Sequence, residues 1–188
     1  NTITEGIGDI KFDLKPKAFY QLNPSQAIKM YAKIKEKLNF ADDKVIIDAY
    51  TGAGAIAMYL APFAEKVIGI DSSKESIYSA LHNKKLNKME NVDFEIGETH
   101  EVLQKLYTKG ITPDVIIMDP PRSGLDPKTL DLLLRKVVNK LVYVSCNPST
   151  LGKNLKELSK KYKVHSVTPF DMFPHTSHIE SITVLTKI

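Results

Sequence analysis

The stretch Asp114-Val-Ile-Ile-Met-Asp119 places four consecutive apolar residues between two aspartates. A continuous apolar run of this length is typical of a strand that is buried on both faces, as in a parallel sheet. On both sides of this run along the chain, short apolar runs alternate with amphipathic segments. The other expected strands are residues 44–48, 66–71, 92–96 and 140–145. The helices expected between the strands are residues 55–60, 73–87, 98–109 and 127–138.

This alternation predicts an α/β fold with a mostly parallel, doubly wound sheet. Asn23-Pro24 has the pattern of a helix N-cap followed by proline, so a helix is expected over residues 24–38. A last helix is expected from Asn147-Pro148 to about residue 160, followed by an antiparallel edge pair near residues 164–170 and 182–187. Residues 1–22 are interpreted as a hairpin-like lead-in and residues 23–188 as one domain.

Composition limits the classes of protein that remain. A hydrophobic fraction of 43% is sufficient for one core, and no apolar run is long enough to span a membrane. The single cysteine excludes an internal disulfide and favours a reducing, cytoplasmic location. The net charge of +4 permits a nucleic-acid partner without requiring one. We expect a monomer, and the start at Asn1 leads us to expect a fragment whose upstream domain is absent.

The turn after the first expected strand predicts a cofactor pocket, because ligands of such sheets bind beyond the carboxyl ends of the strands. Gly52 and Gly54 allow a ligand to approach the backbone closely, and Asp71 ends the next strand, where a carboxylate can accept hydrogen bonds from ribose hydroxyls. This pattern fits a nicotinamide dinucleotide, S-adenosylmethionine or a plain turn. Asp48 favours a cationic sulfonium ligand over a pyrophosphate, and Tyr50 could line an adenosine pocket.

The segment Asp119-Pro-Pro-Arg122 follows the fourth expected strand. Two prolines stiffen the backbone, so the segment is either a rigid turn or a device that directs Asp119 into the cleft. Asp119 could then hold the cofactor or a polar edge of the substrate. Arg122 could pair with a phosphate or with an internal carboxylate. Arginine, where amino-group methyltransferases usually have an aromatic residue, argues against methylation of an exocyclic nitrogen.

Cys146 lies between the strand at residues 140–145 and the helix that starts at Asn147-Pro148. It is either a small buried apolar residue or a nucleophile, and the adjoining helix N-terminus is expected to lower its pKa. Glu180, at the start of the last strand, is by itself most simply interpreted as a solvated residue. His175 and His178 have no cysteine partner and few nearby acids, so no metal site is expected.

Six segments together resemble the catalytic domain of the S-adenosylmethionine-dependent RNA (uracil-5-)-methyltransferases. They occur in the family's order and cover nearly the whole chain: Phe19-Tyr-Gln-Leu-Asn-Pro24, Asp48-Ala-Tyr-Thr-Gly-Ala-Gly54, Gly69-Ile-Asp71, Asp119-Pro-Pro-Arg-Ser-Gly124, Val144-Ser-Cys-Asn-Pro-Ser-Thr150 and Asp171-Met-Phe-Pro-His-Thr-Ser-His-Ile-Glu180. The last two are highly specific. One departure is Thr51, where many members have cysteine, and we expect no catalytic consequence from it.

The resemblance implies a Rossmann-like class I methyltransferase fold, S-adenosylmethionine as cofactor and methylation of carbon 5 of a uridine in RNA. Ribosomal (23S) RNA is the preferred substrate and transfer RNA the alternative. The resemblance makes Cys146 the nucleophile, which adds to carbon 6 of uracil, and Glu180 the base. It also implies that Gln21, Tyr50, Asp71 and Asp119 line the cofactor and substrate pocket.

Three other functions remain open at this point. An amino-methyltransferase of the same fold is disfavoured by Arg122, and a non-catalytic module that binds the cofactor or RNA is disfavoured by the intact Cys146 and Glu180 segments. A dehydrogenase would bind a nicotinamide dinucleotide in place of S-adenosylmethionine.

Overall fold

The computed structural model describes residues 3–8, 10–14, 23–172 and 179–188. Within them, one sheet of seven strands has the spatial order β5-β4-β3-β6-β7-β9-β8, and β1 and β2 form a separate antiparallel hairpin. The strands are β1 Ile3–Ile7, β2 Ile10–Leu14, β3 Val45–Ala49, β4 Lys66–Asp71, β5 Val92–Ile96, β6 Val115–Met118, β7 Lys140–Ser145, β8 Tyr162–Phe170 and β9 Glu180–Lys187. The α-helices are α1 Pro24–Glu36, α2 Ala55–Leu60, α3 Lys74–Leu86, α4 Thr99–Thr108, α5 Pro127–Arg135 and α6 Pro148–Leu158.

The sheet confirms the predicted architecture. Strands β3 to β7 pair in parallel, whereas β9 pairs antiparallel with both β7 and β8. The chain adds β4 and β5 on one side of β3 and then crosses to add β6 and β7 on the other side. The carboxyl ends of β3 and β6 therefore flank the topological switch point, where such sheets bind ligands.

Both faces of the sheet are buried, which explains the continuous apolar runs. Successive residues alternate between two core clusters: Ile46 and Ile117 belong to the first, and Ile47 and Ile116 to the second. The first cluster, on what we call the first face, includes residues of the hairpin, α1 and α2. The second, on the second face, includes residues of α4, α5 and α6. This alternation also decides which polar side chains can meet beyond the strand ends.

The expected lead-in hairpin is present as β1 and β2, and it docks on α3. Asn83 Oδ1 accepts a hydrogen bond from Asp13 N at 2.8 Å, and Asn87 Oδ1 accepts one from Lys11 N at 2.9 Å. The Asn87 amide also donates to Lys11 O at 2.7 Å. Asn83 of α3 and Asn87 at its C-cap thus form hydrogen bonds with the backbone of β2, as a third strand would.

Two expected helix ends are wrong. The first helix ends at Glu36 instead of residue 38, and the helix expected over residues 127–138 ends at Arg135. At the second of these, Val138 leaves the helical path because its N–H donates to the hydroxyl of Tyr162 at 3.1 Å. Its side chain is buried in the second core cluster. This contact depends on a residue far along the chain, so local sequence does not report it. Among the described residues, no helix has the length and apolar character needed to cross a membrane.

We predict that Gly69→Ala lowers the melting temperature. An alanine Cβ at this position of β4 would lie 2.5 Å from the ring of Phe94 and 2.8 Å from Thr51 Oγ1. Overpacking of this kind costs about 1–3 kcal/mol, which is a fall of about 2–10 °C for a domain of this size. Gly152→Ala on α6 is the matched control, because no atom lies within 4 Å of its added Cβ and alanine favours the helix. The melting temperatures of the two variants, measured by thermal unfolding, should therefore shift in opposite directions from that of the wild type. Equal shifts would contradict the packing argument.

Candidate active site

Five of the residues singled out from sequence lie at one end of the sheet and on its first face: Asp48, Asp71, Asp119, Cys146 and Glu180. Each is two or four positions from a strand residue of the first core cluster, namely Ile46, Val67, Ile117, Val144 and Ile182. Because alternate side chains of a strand share a face, this spacing directs all five to the same side. The strands thus bring together residues that are widely separated in the chain.

Asp48 is buried beneath the turn that follows β3. Its Oδ2 accepts hydrogen bonds from Thr51 Oγ1 at 2.5 Å and from Ala57 N at 3.0 Å, whereas its Oδ1 is buried without a hydrogen-bond partner among the described residues. Burial raises the pKa of this carboxyl to about 7, against the opposing effect of the two hydrogen bonds. Asp48 therefore fixes the turn through one oxygen and leaves the other available. Thr51 has a structural role here that the sequence analysis did not assign to it.

The turn itself has a backbone that only small residues adopt readily. Gly52 and Gly54 have φ values of 56° and 86°, and Tyr50 also has a positive φ of 64°. An added Cβ at Gly54 would lie 2.6 Å from the ring of Phe94. Both the conformation and the close approach of Phe94 thus require glycine at position 54, and the turn from Thr51 to Gly54 is buried.

Asp71 connects this turn to the start of α3. Its Oδ2 accepts from Gly52 N and its Oδ1 from Ser73 N, each at 2.9 Å. The side chain is only partly buried. Each carboxylate oxygen has a further lone pair, so the pair can accept two additional hydrogen bonds from a diol.

The side chain of Tyr50 lies on the opposite face of the sheet from Asp48 and Asp71. Its ring packs against the second core cluster, and its hydroxyl is buried without a hydrogen-bond partner among the described residues. Burial raises the pKa of the Tyr50 phenol to about 12. The side chain therefore borders the strand ends from the second face.

Cys146 and Glu180 are opposite one another. The antiparallel pairing of β7 with β9 ends with Ser145 opposite Ser181, so Cys146 and Glu180 are the next residues of the two strands in this register, and the charge of Glu180 acts on the thiol. Directly opposed residues of antiparallel strands have neighbouring side chains on the same face. The thiol is free and half-buried, and Glu180 is half-buried as well.

The pKa of the Cys146 thiol shifts opposite to our expectation. Burial raises it first, and the nearby carboxylates of Glu180 and Asp119 raise it further, while Arg122 lowers it. The start of α6 at Asn147 was expected to lower it, but two acids on the same face and partial burial outweigh that effect. The thiol thus stays predominantly protonated near neutral pH until its surroundings change.

The two acids beside the thiol also hold protons more tightly than usual. Burial raises the pKa of Asp119 to about 8, with the carboxylates of Glu180 and Asp48 adding to the effect. Burial raises the pKa of Glu180, and Arg122 opposes the shift. Arg122 has an exposed side chain, and its charge acts on both Cys146 and Glu180. The carboxyl groups at this end of the sheet repel one another when ionised, and a bound cation would reduce that repulsion.

The N-cap of α6 and two residues within the helix hold the loop after β6, a contact that the sequence did not predict. Asn147 Nδ2 donates to Arg122 O at 3.1 Å, and Thr150 Oγ1 lies 3.1 Å from the same oxygen. Asn154 Oδ1 accepts from Leu125 N at 3.0 Å. The spacing of residues 147, 150 and 154 predicts that they share one side of a helix, but it does not predict which loop they contact.

Some predicted residues lie outside the described part of the chain. These are Gln21, expected in the pocket, and the loop residues Phe173, Pro174, His175 and His178. Among the residues that the structure does describe, no cluster of three or more His, Cys, Asp or Glu side chains has the arrangement of a metal site.

Comparison with known proteins identifies the family of this chain. A family model described as tRNA (uracil-5-)-methyltransferase matches residues 6–188. An RNA methyltransferase of Enterococcus faecalis is 42% identical over 186 residues, and one of Oceanobacillus iheyensis is 43% identical over 187 residues. These matches cover 98% and 99% of this chain but 41% of each relative, so the chain spans about two fifths of their length.

Solved structures of methyltransferases share the fold of this chain. The tRNA (uracil-54, C5)-methyltransferase of Pyrococcus abyssi, in complex with S-adenosyl-L-homocysteine, superimposes with a TM-score of 0.87 at 34% identity, over 98% of this chain and 44% of that one. A SAM-dependent methyltransferase from Agrobacterium tumefaciens has a TM-score of 0.72 at 17% identity, over 99% and 70% of the two chains, and supports the fold alone. On the family match and the identity to its relatives, this chain belongs to the tRNA (uracil-5-)-methyltransferase family.

Proposed function

We propose that this chain transfers a methyl group from S-adenosylmethionine to carbon 5 of a uridine in RNA, through a covalent bond between Cys146 and carbon 6 of uracil. The observation that carries the proposal is the register that sets Cys146 opposite Glu180, with Asp119 on the same face beside the switch point. This arrangement offers a nucleophile, a base and a second carboxyl group at the place where a doubly wound sheet binds ligands.

The charges of the pocket favour a cationic cofactor. Asp48, Asp71 and Asp119 all lie at the strand ends, and Asp48 Oδ1 is buried without a partner among the described residues. Such a group suits a sulfonium cation and repels the pyrophosphate of a nicotinamide dinucleotide, which argues against a dehydrogenase. S-Adenosylmethionine, when bound, supplies the electrophilic methyl group.

We assign the cofactor contacts to the chain as follows. Asp71 accepts the ribose hydroxyls through its remaining lone pairs, and the backbone at Gly52 and Gly54 allows the ligand to approach closely. Asp48 presents negative charge to the sulfonium end, whereas Asp119 is assigned to the substrate. Gln21 stays a predicted contact, and Tyr50, whose ring packs against the second core cluster, borders the strand ends from the second face.

Cys146 activates the pyrimidine. Carbon 5 of uracil is too weakly nucleophilic to attack a methyl donor, so the thiolate sulfur first forms a bond to carbon 6, and the ring electrons move to the carbonyl as an enolate. Carbon 5 is then electron-rich and would take the methyl group, while the sulfur–methyl bond of the donor breaks and its electron pair stays on the sulfur of S-adenosylhomocysteine. A cation bound near Asp119 and Glu180 counteracts their charge, which favours the thiolate at the moment when it is needed.

Glu180 completes the cycle. After methyl transfer, carbon 5 carries both a proton and a methyl group, and Glu180 as carboxylate removes that proton. The electron pair of the C–H bond restores the double bond between carbons 5 and 6, and the sulfur leaves carbon 6 as a thiolate. The raised pKa of Glu180 makes it a stronger base than an exposed glutamate.

Asp119 and Arg122 are the proposed contacts for the rest of the substrate. A protonated Asp119 can donate a hydrogen bond to a uracil carbonyl as negative charge develops on it, and its pKa of about 8 favours that form. Arg122 is exposed at the mouth beside Cys146, where it can bind a phosphate of the RNA. The target base must be turned out of its stack to reach both groups.

The names of the relatives favour transfer RNA over the ribosomal RNA that the sequence analysis preferred. Both the family description and the Pyrococcus abyssi enzyme name tRNA. We therefore propose a transfer-RNA uridine as the first substrate to test and ribosomal RNA as the second.

Mapping of 5-methyluridine in total RNA tests the proposal directly. Cells that lack the gene should lose the modification at one class of site, and the wild-type gene should restore it. Cys146→Ser should fail to restore it, with methylation reduced at least about 10³-fold, because a hydroxyl is a far weaker nucleophile than a thiolate. Cofactor affinity, measured by calorimetry, should survive in Cys146→Ser and fall in Asp71→Asn. A map that is unchanged when the gene is absent would refute the function.

Glu180→Gln should trap the covalent adduct. Addition of Cys146 and methyl transfer do not need the base, whereas release does, so protein bound to RNA should accumulate as a slowly migrating band on a denaturing gel. Glu157→Gln, an exposed glutamate on α6 that pairs with Lys160, is the matched control and should show normal turnover. Full activity of Glu180→Gln with no trapped species would remove Glu180 from the mechanism.

Alkylation of Cys146 by iodoacetamide should report the charges that surround it. The midpoint of the pH profile should lie above that of an ordinary cysteine, because burial and two carboxylates oppose the thiolate. Glu180→Gln should lower the midpoint by removing a negative charge, and Arg122→Gln should raise it by removing a positive one. Intact-protein mass follows the reaction at the single cysteine; shifts of the opposite sign would contradict the assigned electrostatics.

A further inference from the structure

The loop that carries Asp119 and Arg122 is held by the same helix that begins behind Cys146. Asn147 caps α6, accepting from Ser149 N at 3.0 Å, and Pro148 occupies the first turn, so Cys146 is fixed between the end of β7 and the start of α6. The loop makes its own turn through a hydrogen bond from Gly124 N to Pro121 O at 2.8 Å. Asp119 N donates to Ala49 O of β3 at 3.3 Å, and the backbone of Arg122 and Leu125 bonds to side chains of α6 and its N-cap.

Asn154 makes the deepest of these contacts. Its Oδ1 accepts from Leu125 N at 3.0 Å and from the hydroxyl of Tyr143 at 2.8 Å. The backbone N–H of Leu125 can only donate, so the side-chain atom facing it must be the carbonyl oxygen of the amide. Tyr143 is fully buried on β7, three residues before Cys146. One oxygen atom thus joins β7, α6 and the end of the loop.

Gly124 shows how closely the loop approaches this amide. It has a φ of 81°, and an added Cβ would lie 2.6 Å from Asn154 Oδ1 and 3.3 Å from Thr150 Cβ. A backbone held in this left-handed conformation requires its surroundings to specify it. The contacts of Thr150 and Asn147 with Arg122 O, one turn nearer the N-terminus of α6, hold the middle of the loop.

We propose that Asn154 is a positioning residue that sets the distance between the nucleophile and the loop bearing Asp119 and Arg122; this inference rests on the proposed function. Asn154 touches none of the reacting atoms. Its effect is on orientation, because the amide oxygen of Asn154 connects the end of the loop to α6 and to β7, the two elements that flank Cys146. Geometry of this kind is worth about 10²-fold in rate for a displacement of about 1 Å.

Three substitutions in the full-length protein separate positioning from stability. Asn154→Leu keeps the size of the side chain and removes the acceptor, and Asn154→Asp retains an acceptor oxygen. Tyr162→Phe is the matched control on the same face of the sheet, because the Tyr162 hydroxyl accepts from Val138 N and donates to Leu133 O far from the loop.

Asn154→Leu should lower kcat and the single-turnover rate of adduct formation with 5-fluorouridine-substituted RNA by about 10- to 100-fold. The KM for S-adenosylmethionine should not change, because the turn after β3 and Asp71 have no hydrogen bond to this network among the described residues. Asn154→Asp should restore the rate. Tyr162→Phe should lower the melting temperature and leave kcat at the wild-type value.

Equal kcat values for Asn154→Leu and Tyr162→Phe, or an Asn154→Asp protein as slow as Asn154→Leu, would overturn the inference. If Asn154→Leu does not fold, Thr150→Val provides the test, since loss of one hydrogen bond to Arg122 O should lower kcat by about 2- to 10-fold. Unchanged kcat in that variant would again overturn the inference. A wild-type protein that forms neither adduct nor 5-methyluridine would instead refute the proposed function.

Discussion

Six residue pairs join β7 to β9 in antiparallel register, from Lys140 with Thr186 to Ser145 with Ser181. Continuation of this register is what brings Glu180 to Cys146. A slip of one residue would turn every side chain of β9 to the other face, moving Glu180 away from the thiol and Ile182 out of the first core cluster. The apolar residues of β9 therefore do more than stabilise the sheet edge: their burial specifies which acid faces the nucleophile.

The same alternation concentrates negative charge. Asp48, Asp119 and Glu180 share a face. Burial raises the pKa of all three carboxyls, and the charges of Glu180 and Asp48 raise that of Asp119 further. This arrangement costs stability in the isolated protein at pH values where the acids ionise. It also means that a cation entering the site gains from several carboxylates at once. In the proposed mechanism, affinity for a sulfonium and activation of the thiol thus have one electrostatic origin.

Much of the fold was predictable because burial on two faces leaves a clear pattern in sequences such as Val115-Ile-Ile-Met118. The proposed catalytic pair, Cys146 and Glu180, comes from the resemblance alone, since Glu180 by itself has no distinguishing signal. The pKa of Cys146 was predicted with the wrong sign because one local feature, the helix start, was weighed without the two acids that the sheet brings near. Period-two counting from Ile117 and Ile182 would have revealed them. The early end of α5 and the contacts of Asn154 depend on tertiary partners, which no local pattern reports.

The high pKa of a solitary thiol has a consequence for oxidative stress. Peroxide reacts with thiolates, so a cysteine that remains protonated between turnovers is oxidised slowly. The chain has no second cysteine to form a rescuing disulfide. A sulfenic acid formed here would have to be reduced by an external thiol or proceed to irreversible products. The acids that delay thiolate formation therefore also preserve the sulfur for repeated use.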